Sequence, residues 1–244
     1  MIPFLRPGSP FPPATKALKR PNGLLAAGGD LSLPTLVGAY SHGIFPWYSE
    51  GDPILWWSPD PRMVLPSAEL HISRSLRRRL LRRDVRVSFD EAFLDVLTAC
   101  AAPRGEESGT WLLPEMQVAY RALRDEGLAH SVEVWMGAEL IGGLYGVAIG
   151  RMFFGESMFS RRTDGSKLAL AFLAAQLAAW EMPMIDCQME TEHLQSMGAR
   201  LIPRRLFLPW VADLCRQDGP AAWRFEADLD PIEVLAGSNY TTEP

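Results

Sequence analysis

The spacing of apolar and polar residues changes along this chain, and each change marks an element. Over 131–136 the two kinds alternate, the two-residue period of a half-buried strand. Gly137-Ala138 reads as a tight turn, 140–149 as a second apolar strand, Gly150-Arg151 as another turn and 152–158 as a third strand. Three strands joined by two short turns predict an antiparallel meander. Glycines 142, 143, 146 and 155 inside it point to bulges or to close backbone approach to a ligand. The period then becomes helical: after a polar loop, Leu170, Leu173 and Leu177 stand at i, i+3 and i+7 of a helix opening at Ser166. Pro183 ends the connection, and Met184–Gln188 reads as a buried strand.

Upstream, Ser32 is a candidate cap for a short helix with Pro34 in its first turn, Leu36 and Tyr40 on one face and an end near Gly43. Residues 63–65 read as a strand. Ser73 caps a helix on which Arg74, Arg78 and Arg82 share a stripe, with Leu76 and Leu80 roughly opposite. A strand over 85–89, helical spacing over 89–100, a helix over 114–126 stopped by Gly127, and a short helix over 191–197 stopped by Gly198 complete the pattern. Residues 1–21, rich in proline, read as an extended lead-in over the surface, and 44–62 as a proline-stiffened loop whose aromatics either pack on a neighbouring domain or offer a platform to a planar ligand such as a nucleobase. After Gly219 the structural signals are few. The resulting fold class is α+β: a small N-terminal domain over 1–64, then a domain over 65–244 with a mostly antiparallel sheet flanked by helices. Meander, helix and buried strand, in that order, resemble the acetyltransferase-like (GNAT-related) superfamily, an analogy of fold that leaves function open.

Composition removes several classes of function. Hydrophobic residues make up 48% of the 244 and charged residues 22%, ordinary for a globular protein. No apolar run of about 18 residues is present, so no membrane span is expected. The first residues lack a basic stretch followed by an apolar core, so no signal peptide is expected. Three scattered cysteines and four histidines make no metal pattern and fit a reducing cytoplasm. The net charge of −5 argues against general nucleic-acid binding, but its distribution argues for a local site. Between His71 and Arg86 stand arginines 74, 77, 78, 79, 82, 83 and 86 with only Asp84, a local +6, so the remainder carries −11. Such a patch suits phosphates.

Within the apolar stretch 142–188, the polar residues Glu156, Ser157, Asp186 and Gln188 stand out, because a buried polar group left unpaired costs about 1–3 kcal/mol. Strand alternation puts Asp186 and Gln188 on one face, where the carboxylate could orient the amide, and Ile185 and Cys187 on the other. Either a satisfied structural network or an active site would explain them. Cys187 has no locatable His partner and reads as an inert thiol.

A series of longer motifs then converges on one family. Asn22-Gly-Leu-Leu-Ala26, Gly28-Gly-Asp-Leu-Ser32, Gly43-Ile-Phe-Pro-Trp47, Trp56-Trp-Ser-Pro-Asp-Pro-Arg62, His71-Ile-Ser-Arg-Ser75 and Gly109-Thr-Trp111 come first. Ala129-His-Ser-Val-Glu-Val-Trp135, Gly142-Gly-Leu-Tyr-Gly-Val147, Gly155-Glu-Ser-Met-Phe-Ser-Arg161, Ser166-Lys167, Ile185-Asp-Cys-Gln188 and Ile202-Pro-Arg204 follow in order. Together they resemble the bacterial leucyl/phenylalanyl-tRNA–protein transferases. The resemblance implies transfer of Leu or Phe, sometimes Met, from aminoacyl-tRNA to the α-amine of a protein beginning with Arg or Lys. The product carries an N-terminal degradation signal. It implies catalytic roles for Asp186 and Gln188, with Glu156 nearby. Trp47 and Trp111 would stack the 3′ adenosine. Leu144, Met158, Leu170, Leu173, Leu177 and Ile185 would form the aminoacyl cup, and Arg74, Arg78, Arg82 and Arg83 would meet tRNA phosphates. An ester is already activated, so no cofactor and no metal are expected; a cytoplasmic monomer is. The rivals are an acyl-CoA-dependent N-acetyltransferase of the same fold and a tRNA-binding module without catalysis. The first would need a Gly-rich pyrophosphate loop where this chain has Arg161-Arg-Thr-Asp-Gly-Ser-Lys167.

Overall fold

Two sheets share the strands of the chain, whose computed structural model describes residues 2–102 and 112–237. The smaller sheet holds β1 (Phe4–Leu5), β2 (Leu24–Gly28), β3 (Phe45–Pro46) and β4 (Leu55–Trp57) in the order β1-β2-β4-β3. The larger holds β5 (Arg62–Pro66), β6 (Arg86–Phe89), β7 (Ala129–Met136), β8 (Glu139–Ile149), β9 (Met152–Ser160), β10 (Met184–Gln188) and β11 (Arg200–Ile202). Its order is β11-β5-β10-β9-β8-β7-β6. The helices are α1 (Leu33–Ser41), α2 (Arg74–Leu81), α3 (Phe93–Ala101), α4 (Pro114–Asp125), α5 (Gly165–Ala179), α6 (Glu192–Ser196), α7 (Arg204–Leu214) and α8 (Pro231–Gly237).

The expected meander is β7-β8-β9, and β10 lies parallel to β9 and antiparallel to β5. One buried cluster packs α1, α3, α4 and α7 on one side of the large sheet. A second packs α2, α5 and α8 on the other. Leu168, Leu170, Leu173 and Leu177 of α5 are all buried, each stabilising the fold by about 1.5–3 kcal/mol. A helix apolar on nearly every face belongs at the centre. It sits tightly on β8: a Cβ on Gly142 would come within 2.5 Å of the Gly165 backbone. The close approach expected of the strand glycines is therefore, at Gly142, to the protein's own helix.

Four segments differ from the sequence expectation. Residues 1–21 supply β1, which pairs in parallel with β2. The aromatic loop supplies β3 and β4, which pair antiparallel. Two- and three-residue strands are too short to show a period. Helix α7 carries Pro209 in its interior, which disguises it. After Gly219 the chain straps itself over the sheet: Phe225 stacks on Phe89 at 4.0 Å between ring centres, and Gln176 and Glu226 exchange hydrogen bonds.

Candidate active site

Two local irregularities make the site. Strand β9 pairs with β10 only as far as Phe154 and Asp186, yet β9 runs on to Ser160 and β10 to Gln188. The two strands therefore splay, and a cavity of about 840 Å³ opens between them. On the β9 side Tyr145 pairs with Ser157 and Gly146 with Gly155, so Glu156 is the extra residue of a β-bulge. On the β10 side the register against β5 shifts between Asp186 and Gln188, and Gln188 has φ +64°. A left-handed backbone costs a non-glycine residue about 1–2 kcal/mol, a strain concentrated at sites that use it. The Gln188 amide Nε2 donates to Glu156 Oε1 at 2.8 Å and ties the two lips together.

Behind Glu156 stand two tyrosines. Tyr40 of α1 donates to Oε1 at 2.9 Å, and Tyr120 of α4 donates to Oε2 at 2.6 Å. Their own hydroxyls lie 3.0 Å apart. Both rings are fully buried. Burial pushes the Glu156 carboxyl up to about 7, the neighbouring Asp186 adds to that, and the donors from Tyr120, Tyr40 and Gln188 oppose it. Burial and the Glu156 charge hold both tyrosines well above the usual phenol range.

Trp47, Leu144, Met158, Leu170, Leu173 and Ile185 all line the cavity, together with Glu156 and Gln188. Leu177 is buried but is not part of the wall. Trp111 lies outside the described residues. Asp186 does not reach the cavity, which corrects the expectation that it shares a face with Gln188. The bulge and the left-handed turn break the alternation, so Ile185, Cys187 and Gln188 all face the cavity. Asp186 instead meets Arg62, whose Nε donates to Oδ1 at 2.8 Å and Nη2 to Oδ2 at 2.6 Å. That guanidinium lies between the rings of Phe45 and Phe207, 4.7 and 4.8 Å from their centres. Asp186 Oδ1 also accepts the backbone N–H of Gln188 at 2.9 Å. Asp186 thus holds the strained backbone, and Glu156 holds the amide.

Burial raises the Cys187 thiol far above its usual range, which suits an inert wall residue. His193, on the rim, is pushed down by burial and by Lys167. No cluster of His, Cys, Asp or Glu among the described residues could hold a metal.

The arginine helix forms as expected. Ser73 Oγ accepts from the Leu76 N–H at 3.3 Å, and Leu76 and Leu80 are buried. Among the described residues no carboxylate pairs with the exposed Arg74, Arg77 or Arg78. Arg79 and Arg82 are drawn to Asp84, and Arg83 to Asp230 at 3.0 Å. Tyr40, Tyr120 and Arg62 were not among the expected site residues. Their one signal is a rule of partnership: a buried phenol or guanidinium must find an acceptor.

The meander, the central helix and the parallel pair that splays at its end frame the cavity. A GCN5-related N-acetyltransferase from Kribbella flavida covers 67% of this chain and 57% of its own, with TM-score 0.35 and 14% identity. Sequence comparison is more specific. The family model for the leucyl/phenylalanyl-tRNA protein transferase N-terminal domain matches residues 29–60, and the one for leucyl/phenylalanyl-tRNA protein transferase matches 64–212. The leucyl/phenylalanyl-tRNA–protein transferase of Nitrosomonas europaea is 61% identical over 207 residues, 85% of this chain and 88% of its own. That of Ectopseudomonas mendocina is 56% identical over 213 residues, 87% and 94% of the two. The chain belongs to the leucyl/phenylalanyl-tRNA–protein transferase family.

Proposed function

We propose that the chain moves Leu or Phe, and sometimes Met, from aminoacyl-tRNA to the α-amine of proteins beginning with Arg or Lys, marking them for degradation. The observation that carries this is the cavity: an apolar cup on one side, and Glu156 and Gln188 bridged across its mouth. Leu144, Met158, Leu170, Leu173 and Ile185 receive the aminoacyl side chain. Met158 suits a cup that takes two shapes. Trp47, 37% exposed on the cavity wall, offers a face to the terminal adenosine. Arg74 and Arg78, with Arg82 and Arg83, meet the tRNA backbone, a contact indifferent to base sequence and sensitive to salt.

The acceptor's α-amine, with an ordinary pKa near 8, arrives largely protonated and must lose a proton before attack. Glu156 faces that ammonium and is ionised over part of the neutral range. Gln188 gives its Nε2 to Glu156 and so turns its amide oxygen to the amine, holding the lone pair on the ester carbonyl. Asp186 and Arg62 keep the Gln188 backbone in place and are positioning residues. The ester is already activated, so the reaction calls for no added energy source. The site of action is the cytoplasm and the working unit a monomer; no helix among the described residues is long and apolar enough to cross a membrane.

The test is direct. Purified protein is given an Arg-starting peptide with labelled Phe-tRNA, Leu-tRNA or acetyl-CoA. Label should pass from the two tRNAs and not from acetyl-CoA, and an Ala-starting peptide should be a poor acceptor. Transfer from acetyl-CoA alone would overturn the reading in favour of an N-acetyltransferase.

A further inference from the structure

Glu156, Tyr40 and Tyr120 touch one another along three edges: Oε1 to the Tyr40 hydroxyl at 2.9 Å, hydroxyl to hydroxyl at 3.0 Å, and the Tyr120 hydroxyl to Oε2 at 2.6 Å. Each edge needs one proton to be a hydrogen bond. The two phenols supply two. When Glu156 is ionised, both phenols point at the carboxylate and the phenol-to-phenol edge has two lone pairs facing each other at hydrogen-bond distance. When Glu156 is protonated, its own O–H donates to one phenol, that phenol to the other, and the second back to the carboxyl. Every edge is then filled. The place of that third proton is also fixed: Oε1 already accepts from Gln188 at 2.8 Å, so Oε2 carries the proton toward Tyr120.

We propose that Glu156, Tyr40 and Tyr120 form a hydrogen-bond ring that is one proton short at rest and is completed by the proton the acceptor amine gives up. This rests on the reading of Glu156 as the group facing the acceptor ammonium. The step balances. The ammonium N–H bond breaks and an O–H bond forms on Glu156. The freed nitrogen lone pair makes the bond to the ester carbonyl carbon. The carbonyl carbon's bond to the tRNA 3′ oxygen breaks, and that oxygen takes the second proton the nitrogen loses on becoming an amide. One net proton remains on Glu156 and returns to solvent through the open cavity before the next cycle. Tyr40 and Tyr120 never touch substrate; they are positioning residues that set the proton affinity of Glu156. The other ionisable groups acting on the ring are Asp186, neutralised by Arg62, and Tyr145 of β8; Cys187 of β10, held as a thiol, and His193 line the same cavity, and Lys167 acts on His193.

The ring can be completed permanently by Glu156→Gln, because the amide N–H₂ supplies the missing proton at the Oε2 position. The sign follows from linkage: a carboxyl whose proton affinity is raised by folding stabilises the fold below its unfolded range near pH 4.5, and that contribution is lost as pH rises through about 7. Glu156→Gln should therefore match the wild type in melting temperature near pH 5 and exceed it by about 3 °C or more at pH 8.5, while losing transfer activity. Tyr40→Phe and Tyr120→Phe should each lower kcat roughly tenfold with little change in KM, a loss typical of weakened general-base catalysis. The rising limb of kcat against pH should move to higher pH, since the carboxylate loses a donor. The double variant should be little worse than either single one, since a ring opened once is open. If Glu156→Gln transfers Phe at the wild-type rate, the underlying role of Glu156 fails. If it is inactive but destabilised equally at both pH values, or if the two Tyr effects multiply with the pH limb unmoved, the ring inference alone is overturned.

Discussion

Glu156 and Glu133 are both carboxylates sunk among apolar residues, one on β9 and one on β7, and they have opposite outlets. Glu133 is fully buried; it accepts from Ser88 Oγ at 2.6 Å, from the hydroxyl of Ser131 and from the Ala92 N–H at 3.4 Å. It does not border the cavity. Glu156 accepts from two phenols and an amide, and it borders 840 Å³ of open space. Burial raises the proton affinity of both. A raised carboxyl therefore does not by itself mark a catalytic group. What separates the two is a route by which a proton and a substrate can arrive. Asp186 is a third case: it is as buried as Glu133 but carries its own cation, Arg62.

The sharpest way to break the comparison is to remove that cation. Arg62→Met leaves Asp186 as an unpaired charge in the core, and should cost about 3–5 kcal/mol in urea unfolding. Adding Asp186→Leu should restore much of the loss, because an ion pair replaced whole by apolar groups is often neutral. No recovery would mean that Arg62 stabilises mainly through its packing between Phe45 and Phe207.

The next effect separates the glutamates by activity. Glu156→Gln should lower kcat by about 10²–10³-fold, the scale of lost acid–base catalysis. Glu133→Gln should keep transfer activity within about threefold, because only stability depends on it. Its stability effect has a definite sign. Burial raises the Glu133 carboxyl, with the Ser131 and Ser88 hydroxyls opposing. Its contribution is therefore present at low pH and lost as pH rises, so Glu133→Gln should gain on the wild type toward alkaline pH in thermal melts. A gain at acid pH instead would reverse the assignment.

The sheet was legible in the sequence where strands are long and turns are tight: β7, β8 and β9 follow from alternation and from Gly137 and Gly150. Part of the cavity wall was legible from the spacing of α5, which puts Leu170 and Leu173 on it, while Leu177 falls behind. The candidate site was legible as residue types and not as geometry. A one-residue bulge at Glu156 and a separate register shift with a left-handed backbone at Gln188 take the two out of the alternation on which any reading of strand faces depends. Tyr40 and Tyr120 lie 116 and 36 residues from Glu156, and no local period carries information over such distances.

The smallest effects belong to the arginine face, where the same contrast between occupied and open groups recurs at the surface. Arg78 is exposed without an ion-pair partner among the described residues, whereas Arg83 is held by Asp230 at 3.0 Å. A guanidinium with no acid partner is free to displace a counterion from a phosphate; one already paired must first leave its carboxylate. Arg78→Ala should reduce the slope of log affinity against log salt by about 0.7–0.9, one phosphate contact, in binding of uncharged tRNA. Arg83→Ala should change it by less than half as much. The loss at Arg78 should be the same for tRNAs of different sequence, since a phosphate contact carries no base information. Equal slopes for the two variants would mean that Asp230 gives up Arg83 when tRNA docks, and that α8 moves with it.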